Sequence, residues 1–312
     1  IVPVFMSAGP ISAIAGGYLP GHRSLILKYS LSAKAPIFYD EEITYSAKIT
    51  AKNMPEETLT LGIVAFSKAR QVKVVLSGEM LVKVRRAPTE VKERWLPTAP
   101  IRTVGRGVVL IVGATSALGE AIARRYAGQG RDLVLVYFNN QDAAKKLQKE
   151  LGGNSSVWIR KYSALKNSRF RTIPRELWYE DLDTVVYTLS SPWKSSLVDL
   201  MDSNYRSLRQ ITEASLPVML EKQAGKIIAI GTSAVINGIE GLEDYVAAKT
   251  AAAGYLRSIG REFEQYGVLT TIVAPDAMKT MISDDLPFDD SQRVLPEQVA
   301  EEVLTIGLDA SP

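Results

Sequence analysis

The sequence predicts an α/β fold, a doubly wound parallel sheet preceded by a smaller α+β unit, and three observations carry that expectation. Length is the first: 312 residues, 46% of them hydrophobic, can bury a large core but exceed one typical domain, so two domains are expected. The second is a polar stretch, Arg85 to Arg106, in which Pro88, Pro97 and Pro100 interrupt the patterns on both sides. The third is that the period changes there, from alternation of apolar and polar residues to apolar runs separated by amphipathic helices.

The elements follow in order. Phe5 to Ala15 is apolar and rich in small residues, long enough for about three helical turns before Gly16 and Gly17 stop it. Ile43, Tyr45, Ala47, Ile49 and Ala51 alternate with Thr44, Ser46, Lys48, Thr50 and Lys52, the period of a strand with one buried face. Leu25, Leu27, Tyr29 and Leu31 form another such set, Leu59, Leu61, Ile63 and Ala65 a third, and Val72, Val74 and Leu76 a fourth that extends toward Val84. Short polar connections at Asn53 to Glu57 and Ser67 to Gln71 suit antiparallel hairpins. This places a first domain at 1–87, a linker at 88–106 and a second domain at 107–312. In the second, Val108 to Val112, Leu133 to Val136, Val157 to Arg160, Thr184 to Leu189, Lys226 to Ile230 and Thr270 to Ala274 read as buried strands joined by crossovers, hence a parallel sheet.

Composition removes several function classes. The 37 Lys+Arg against 34 Asp+Glu leave a net charge of +3 with no long basic run, so no nucleic-acid partner is expected. Zero cysteines exclude disulfides, thiolate metal sites and a Cys nucleophile, and one histidine, His22, makes no multi-His metal site. Acid/base chemistry must use other side chains. The longest apolar run, Val108 to Ala114, falls short of the roughly 20 residues that span a bilayer, so no membrane partner and a cytoplasmic location are expected. The sequence opens on Ile1 in mid-pattern, which implies that an N-terminal segment was trimmed or is missing.

The strand at Val108 runs into Gly113-Ala-Thr-Ser-Ala-Leu-Gly119 and then a helix from Glu120 to about Ala127. Glycines at such a turn let backbone approach a pyrophosphate, and a helix N-terminus offers it free N–H groups, although a strand-to-helix turn wants glycine for packing alone. Gly113, Thr115, Ser116, Leu118 and Gly119 are the candidate cofactor residues there. The next strand ends at Tyr137-Phe-Asn-Asn140, without the acidic residue that would hold the ribose 2′-hydroxyl of NAD. This favours NADP over NAD, with Ser116, Asn139 and Asn140 left to receive the 2′-phosphate.

Further on, Gly231-Thr-Ser-Ala-Val-Ile-Asn-Gly238 precedes Tyr245-Val-Ala-Ala-Lys249. Tyr245 and Lys249, four apart, face the same way on a helix. At about 5 Å and an effective dielectric near 20, an ammonium attracts a phenolate by about 3 kcal/mol, enough to lower a phenol pKa of about 10 by roughly two. Tyr245 then becomes the acid that protonates a carbonyl oxygen during hydride attack, with a hydroxyl of Ser233 or Thr232 holding that oxygen. Each residue also has a plain structural reading: Tyr and Lys as one amphipathic face, Asn204, Thr232 and Ser233 as caps or turn residues.

This second domain resembles the short-chain dehydrogenases/reductases, most closely their 3-oxoacyl-thioester reductase branch, over about residues 107 to 309. The parts stand in family order: the glycine turn, Asn204 in Met-Asp-Ser-Asn-Tyr, the Thr/Ser after a strand, Tyr-x-x-x-Lys, and Val273-Ala-Pro275. The resemblance implies a Rossmann-type fold, a water relay through Asn204 to Lys249, a hold of Lys249 on the nicotinamide ribose, and cofactor contacts at Ser190, Tyr245 and Pro275. Thr232 lies thirteen residues before Tyr245, the family's usual spacing, and Ser233 twelve; chemistry favours Ser233 and the choice stays open. The chain departs from the pattern at Ala117 in place of glycine, at Tyr187-Thr-Leu-Ser190 in place of Asn-Asn-Ala-Gly, and at Asp276 in place of glycine. It also ends at Leu308-Asp-Ala-Ser-Pro312, where the family continues into a last strand.

The first domain is similar to MaoC-like hotdog domains, through Ile11-Ser-Ala-Ile14, Leu19-Pro-Gly21, and Ala35-Pro-Ile-Phe-Tyr-Asp-Glu41 with Tyr39 in place of the family's glycine. The family's hydratase Asp and His fall upstream of the region present, and His22 lies in the wrong place, so the domain reads as non-catalytic. The two resemblances together imply NADPH-dependent reduction of a 3-oxoacyl thioester, on CoA or acyl carrier protein, to the 3-hydroxyacyl product by a homo-oligomer. The alternatives are a bifunctional hydratase/dehydrogenase, a cofactor-binding non-catalytic subunit, and a reductase of a non-thioester ketone behind a short acidic lid at Met278 to Val294.

Overall fold

The structure, a computed structural model, describes residues 1–21, 24–69, 71–84, 107–153, 155–162, 179–280 and 293–308. His22, the 88–106 linker and most of the expected lid lie outside the described residues. The chain divides into two compact units, Ile1–Thr103 with Leu220–Gln223, and Val104–Met219 with Ala224–Pro312.

In the first unit a 3₁₀ turn, Val4–Ala8, leads into helix α1, Gly9–Gly17. The single helix expected from Phe5 is split because Pro10 sits in the first turn of α1, where its missing N–H costs no hydrogen bond. Strands β1 (Ser24–Ala33), β2 (Ile43–Asn53), β3 (Thr58–Ser67) and β4 (Lys73–Val84) form an antiparallel sheet in the order β1-β4-β3-β2. Ile11 and Ala15, one helical turn apart, are buried against Leu61, Ile63, Ala65, Met80 and Val82. Ile43, Tyr45, Ala47 and Ile49 pack on this core as their alternation requires.

Strand β1 departs from its pattern. A bulge between Ile26 and Lys28 shifts the phase, so that Ile26 and Leu31 pack on the core while Leu25 and Leu27 remain 45% and 48% exposed. Tyr29 is exposed as well. A one-residue slip turns side chains to the other face, which is why the even spacing of Leu25, Leu27, Tyr29 and Leu31 misleads.

The second unit is a six-stranded parallel sheet in the order β10-β9-β8-β5-β6-β7. Its strands are β5 (Val108–Val112), β6 (Asp132–Tyr137), β7 (Val157–Lys161), β8 (Leu182–Tyr187), β9 (Gly225–Ile230) and β10 (Val268–Val273). Every residue of β5 is buried, as a central parallel strand covered on both faces demands. Its odd residues, Val109 and Ile111, join Leu118, Ile122 and Tyr126 of α2 (Ala117–Gly128) and Val299 and Val303 of α8 (Pro296–Leu308).

Between these run α3 (Gln141–Leu151), α4 (Leu197–Met201), α5 (Ser207–Lys222), α6 (Ala234–Asn237) and α7 (Glu243–Phe263). A π-turn, Asp202–Arg206, joins α4 to α5. Strand order reverses between β5 and β8, and the crevice at their carboxyl ends is where doubly wound sheets bind ligands. Among the described residues no helix is long and apolar enough to cross a membrane.

Gly78 of β4 lies so close to β1 that a Cβ there would stand 2.0 Å from the Ser30 carbonyl oxygen. Gly78→Ala is therefore expected to peel β1 from β4, with amide exchange accelerating across Ser24–Ala33 while the β2–β3 amides keep their protection.

Candidate active site

The glycine turn stands at the reversal point. Gly113 has φ +89°, and a Cβ on it would meet Thr188 Oγ1 at 2.6 Å, because that hydroxyl crosses from the end of β8 to donate to the Val112 carbonyl at 2.9 Å. Ser116 caps α2 by accepting from Gly119 N at 3.0 Å. Gly119 is itself bound by space, since a Cβ there would lie 2.2 Å from the Gly113 carbonyl oxygen. The packing need and the open helix N-terminus are thus met by the same residues.

A cavity of about 690 Å³ begins at Thr115, Ser116 and Leu118 and reaches Thr232, Ser233, Tyr245 and Lys249, passing Ser190 and Pro275. This volume falls within the range of small-molecule sites. The turn expected to cradle a cofactor and the residues expected to perform acid/base chemistry therefore line one space. Asn139 and Asn140 do not line it: Asn139 is exposed beyond the end of β6, and Asn140 caps α3 by accepting from Ala143 N at 3.0 Å. The departures Tyr187 to Ser190 leave the floor of the crevice intact, with Tyr187 buried in β8 and Thr188 tied to β5.

Helix α7 brings Tyr245 and Lys249 to the cavity. Its inner face carries Ala248, Ala252 and Ala253, small enough for close approach to the sheet. Gly260 and Thr270 mark the approach: Thr270 Oγ1 donates to the Leu256 carbonyl at 3.0 Å, and a Cβ on Gly260 would meet that oxygen at 2.4 Å.

Lys249 is 5% exposed and donates to the carbonyl of Ile230, the last residue of β9, at 2.9 Å. Its Nζ lies 5.7 Å from the Tyr245 ring centroid. The expected lowering of the phenol is corrected here. Burial pushes Tyr245 up to about 12 and Lys249 down to about 8, because loss of water disfavours the charged form of each.

Of the two candidate hydroxyls, Thr232 Oγ1 accepts from Ala234 N at 3.3 Å, whereas Ser233 Oγ makes no hydrogen bond among the described residues. Asn204 lies in the π-turn; its Nδ2 donates to the Leu200 carbonyl at 2.9 Å, and its Oδ1 is buried without a partner among the described residues. Behind Lys249, a second cavity of about 10 Å³, room for one water, is lined by Asn204, Tyr187 and Lys249 together. Lysine 249 lines both spaces. Among the described residues no cluster of three or more metal-ligating side chains exists.

Several residues that the sequence pattern did not single out also line the large cavity. Trp193, Ile239, Leu242 and Met278 form apolar wall, and Asp276, the departure that follows Pro275, is the one carboxylate among the described residues lining it. Trp193 stands in Ser191-Pro-Trp-Lys194, past the carboxyl end of β8, the position from which such residues could have been suspected.

The family model described as short chain dehydrogenase matches residues 107–290, more than half of the chain, and the chain belongs to that family of oxidoreductases. Epidermal retinol dehydrogenase 2 of Mus musculus is 29% identical over 196 residues, covering 58% of this chain and 63% of that protein. This chain therefore spans less than two thirds of the retinol dehydrogenase it matches. The 3-oxoacyl-[acyl-carrier-protein] reductase FabG of Salmonella typhimurium is 25% identical over 200 residues, covering 61% of this chain and 81% of that protein. Among solved structures, a serine dehydrogenase from Escherichia coli aligns with TM-score 0.53 and 25% identity over 65% of this chain and 92% of its own. A closed serine dehydrogenase complexed with NADP+, 24% identical with TM-score 0.56 over 65% of this chain and 89% of its own, shares the fold.

The buried lysine makes stability depend on pH in a definite direction. Its folded pKa of about 8 lies below the unfolded 10.5, so between those values the unfolded chain binds the extra proton and stability gains as pH rises. Lys249→Met is expected to raise stability by about 1–2 kcal/mol at pH near 7, with the gain gone near pH 10, in denaturant melts at both values.

Proposed function

We propose that this chain reduces a 3-oxoacyl thioester, carried on CoA or acyl carrier protein, to the 3-hydroxyacyl thioester with NADPH. The observation that carries the reading is the single cavity that joins the glycine turn to Tyr245, Lys249 and Ser233. The residues present fit a nicotinamide dinucleotide: the turn Gly113–Gly119 with the N-terminus of α2 would hold the phosphates, and Ser190, Pro275 and Lys249 the nicotinamide half. Bound there, the cofactor supplies a hydride. NADP is preferred over NAD because β6 ends in Tyr137 and continues as Phe138-Asn-Asn140, without a carboxylate for a ribose 2′-hydroxyl.

Tyr245 remains protonated at neutral pH, since burial holds its phenol near 12, and it is the proton donor to the carbonyl oxygen. Ser233, with its hydroxyl uncommitted, holds that oxygen. Lys249, near 8, gains and loses a proton close to neutrality and returns one toward Tyr245 from the small cavity that it shares with Asn204.

The thioester follows from pairing this unit with a first unit read as a MaoC-like hotdog domain over 1–87, a reading supported by α1 lying on one face of an antiparallel sheet. Homo-oligomerisation belongs to the same reading. A second reading, a neutral ketone or alcohol with no thioester, is favoured by the cavity wall: Trp193, Ile239, Leu242 and Met278 are apolar, and Lys249 is the one cationic residue among the described residues lining it. An anionic carrier would ask for more positive charge there.

The test follows nicotinamide absorbance with NADPH or NADH and acetoacetyl-CoA or retinal as the carbonyl substrate, and with NADP+ or NAD+ and serine as the alcohol substrate. NADPH consumed with acetoacetyl-CoA supports the thioester, turnover confined to the other substrates supports the second reading, and cofactor binding with no turnover identifies a non-catalytic subunit. Tyr245→Phe is expected to lower kcat by about 10²- to 10⁴-fold with cofactor binding retained. Ser233→Ala is expected to cost roughly 10²-fold and Thr232→Ala much less, because the Thr232 hydroxyl is already engaged by Ala234.

A further inference from the structure

We propose that Tyr187 is a positioning residue, whose phenol holds the Asp202–Arg206 turn in π register and so keeps Asn204 on the small cavity beside Lys249. The inference rests on the reading of Tyr245 and Lys249 as the catalytic pair. In an α-helix the Ser207 N–H would donate to the Ser203 carbonyl, four residues back. Here Ser207 N donates instead to the Asp202 carbonyl, five residues back, and the Ser203 carbonyl loses its regular donor.

Tyr187 supplies the replacement. Its hydroxyl, buried in β8 with 2% of the residue exposed, donates to that Ser203 carbonyl oxygen. A buried tyrosine must satisfy its O–H, and a buried carbonyl deprived of its ladder partner must find a donor, so one bond settles both needs. Asn204 is the next residue after Ser203, and its amide is anchored within the same turn, on Leu200 O at 2.9 Å and Ser203 Oγ at 3.3 Å. The π register thus sets where Asn204 stands, and Tyr187, Asn204 and Lys249 line the same small cavity. Without the phenol, the Ser207 N–H is free to return to Ser203 O, and the α register that results turns Asn204 around the helix axis, away from Lys249.

The experiment compares Tyr187→Phe, Asn204→Ala and the double variant in the full chain. Tyr187→Phe is expected to lower kcat by about tenfold with KM and NADPH affinity, read by nucleotide fluorescence, within about twofold of the parent. The double variant is expected to lose no more than Asn204→Ala alone, since Tyr187 acts through Asn204. The readout independent of turnover is amide exchange of Ser207, expected to change in Tyr187→Phe as its acceptor changes.

Additive losses, or an unchanged kcat with unchanged Ser207 exchange, overturn the proposal. Should the phenylalanine variant fail to fold, 3-fluorotyrosine at position 187 keeps shape and bond; its fluorine resonance is expected to move on Asn204→Ala, and an unmoved resonance overturns the coupling. If the parent turns over no carbonyl substrate, the proposed function fails while the exchange and fluorine readouts still decide the role of Tyr187.

Discussion

A lysine ammonium taken out of water needs an oxygen to donate to, and in this chain the carbonyl of Ile230 at the end of β9 provides it to Lys249. Much of the second unit serves that contact. Helix α7 must lie close on the sheet for the side chain to reach the end of β9, and Ala248, Ala252, Ala253 and Gly260 make the approach possible. The cost is borne by the lysine itself, whose charged form is disfavoured by burial. A group so placed is a poor stabiliser, and its lowered pKa brings its proton exchange closer to neutrality than that of an exposed lysine.

The doubly wound order gives the site its floor. Reversal between β5 and β8 opens a crevice, and the Thr188 hydroxyl closes the bottom of it by bonding to the Val112 carbonyl across the two strands. Gly113 is held to glycine by that crossing, and the turn it opens carries Thr115, Ser116 and Leu118 onto the cavity wall. Function here occupies geometry that the fold requires in any case. The candidate acid/base residues then stand above the floor, Tyr245 and Lys249 on α7 and Thr232 and Ser233 after β9.

The six parallel strands were legible because each is a short apolar run between helical stretches, and Tyr245 with Lys249 because helical spacing alone puts them together. The glycine turn was legible for the same local reason. What local pattern could not carry is the choice of partner. The Lys249 ammonium goes to a carbonyl nineteen residues away, and burial of the phenol, which helical spacing does not reveal, raises Tyr245 where a lowering was expected. Tyr187 read as a loss of a family asparagine, since a tyrosine closing an apolar run gives no hint that its hydroxyl ends inside a π-turn. Asn140 looked like a ligand residue and is spent on a helix cap, a role its side chain fills wherever a strand hands over to a helix.

The bulge in β1 reaches beyond the packing of the first unit. Strand β1 is an edge strand of ten residues, and the bulge turns Leu25 and Leu27 outward beside its open backbone groups. Such an edge is a template for pairing with another chain and for aggregation. The residue that follows the bulge is Lys28, an exposed lysine in mid-strand, and a charge there opposes the approach of a second strand. Lys28 thus opposes strand addition at the one place where the bulge leaves leucines outward, and an apolar residue at position 28 is expected to favour pairing of β1 with another chain.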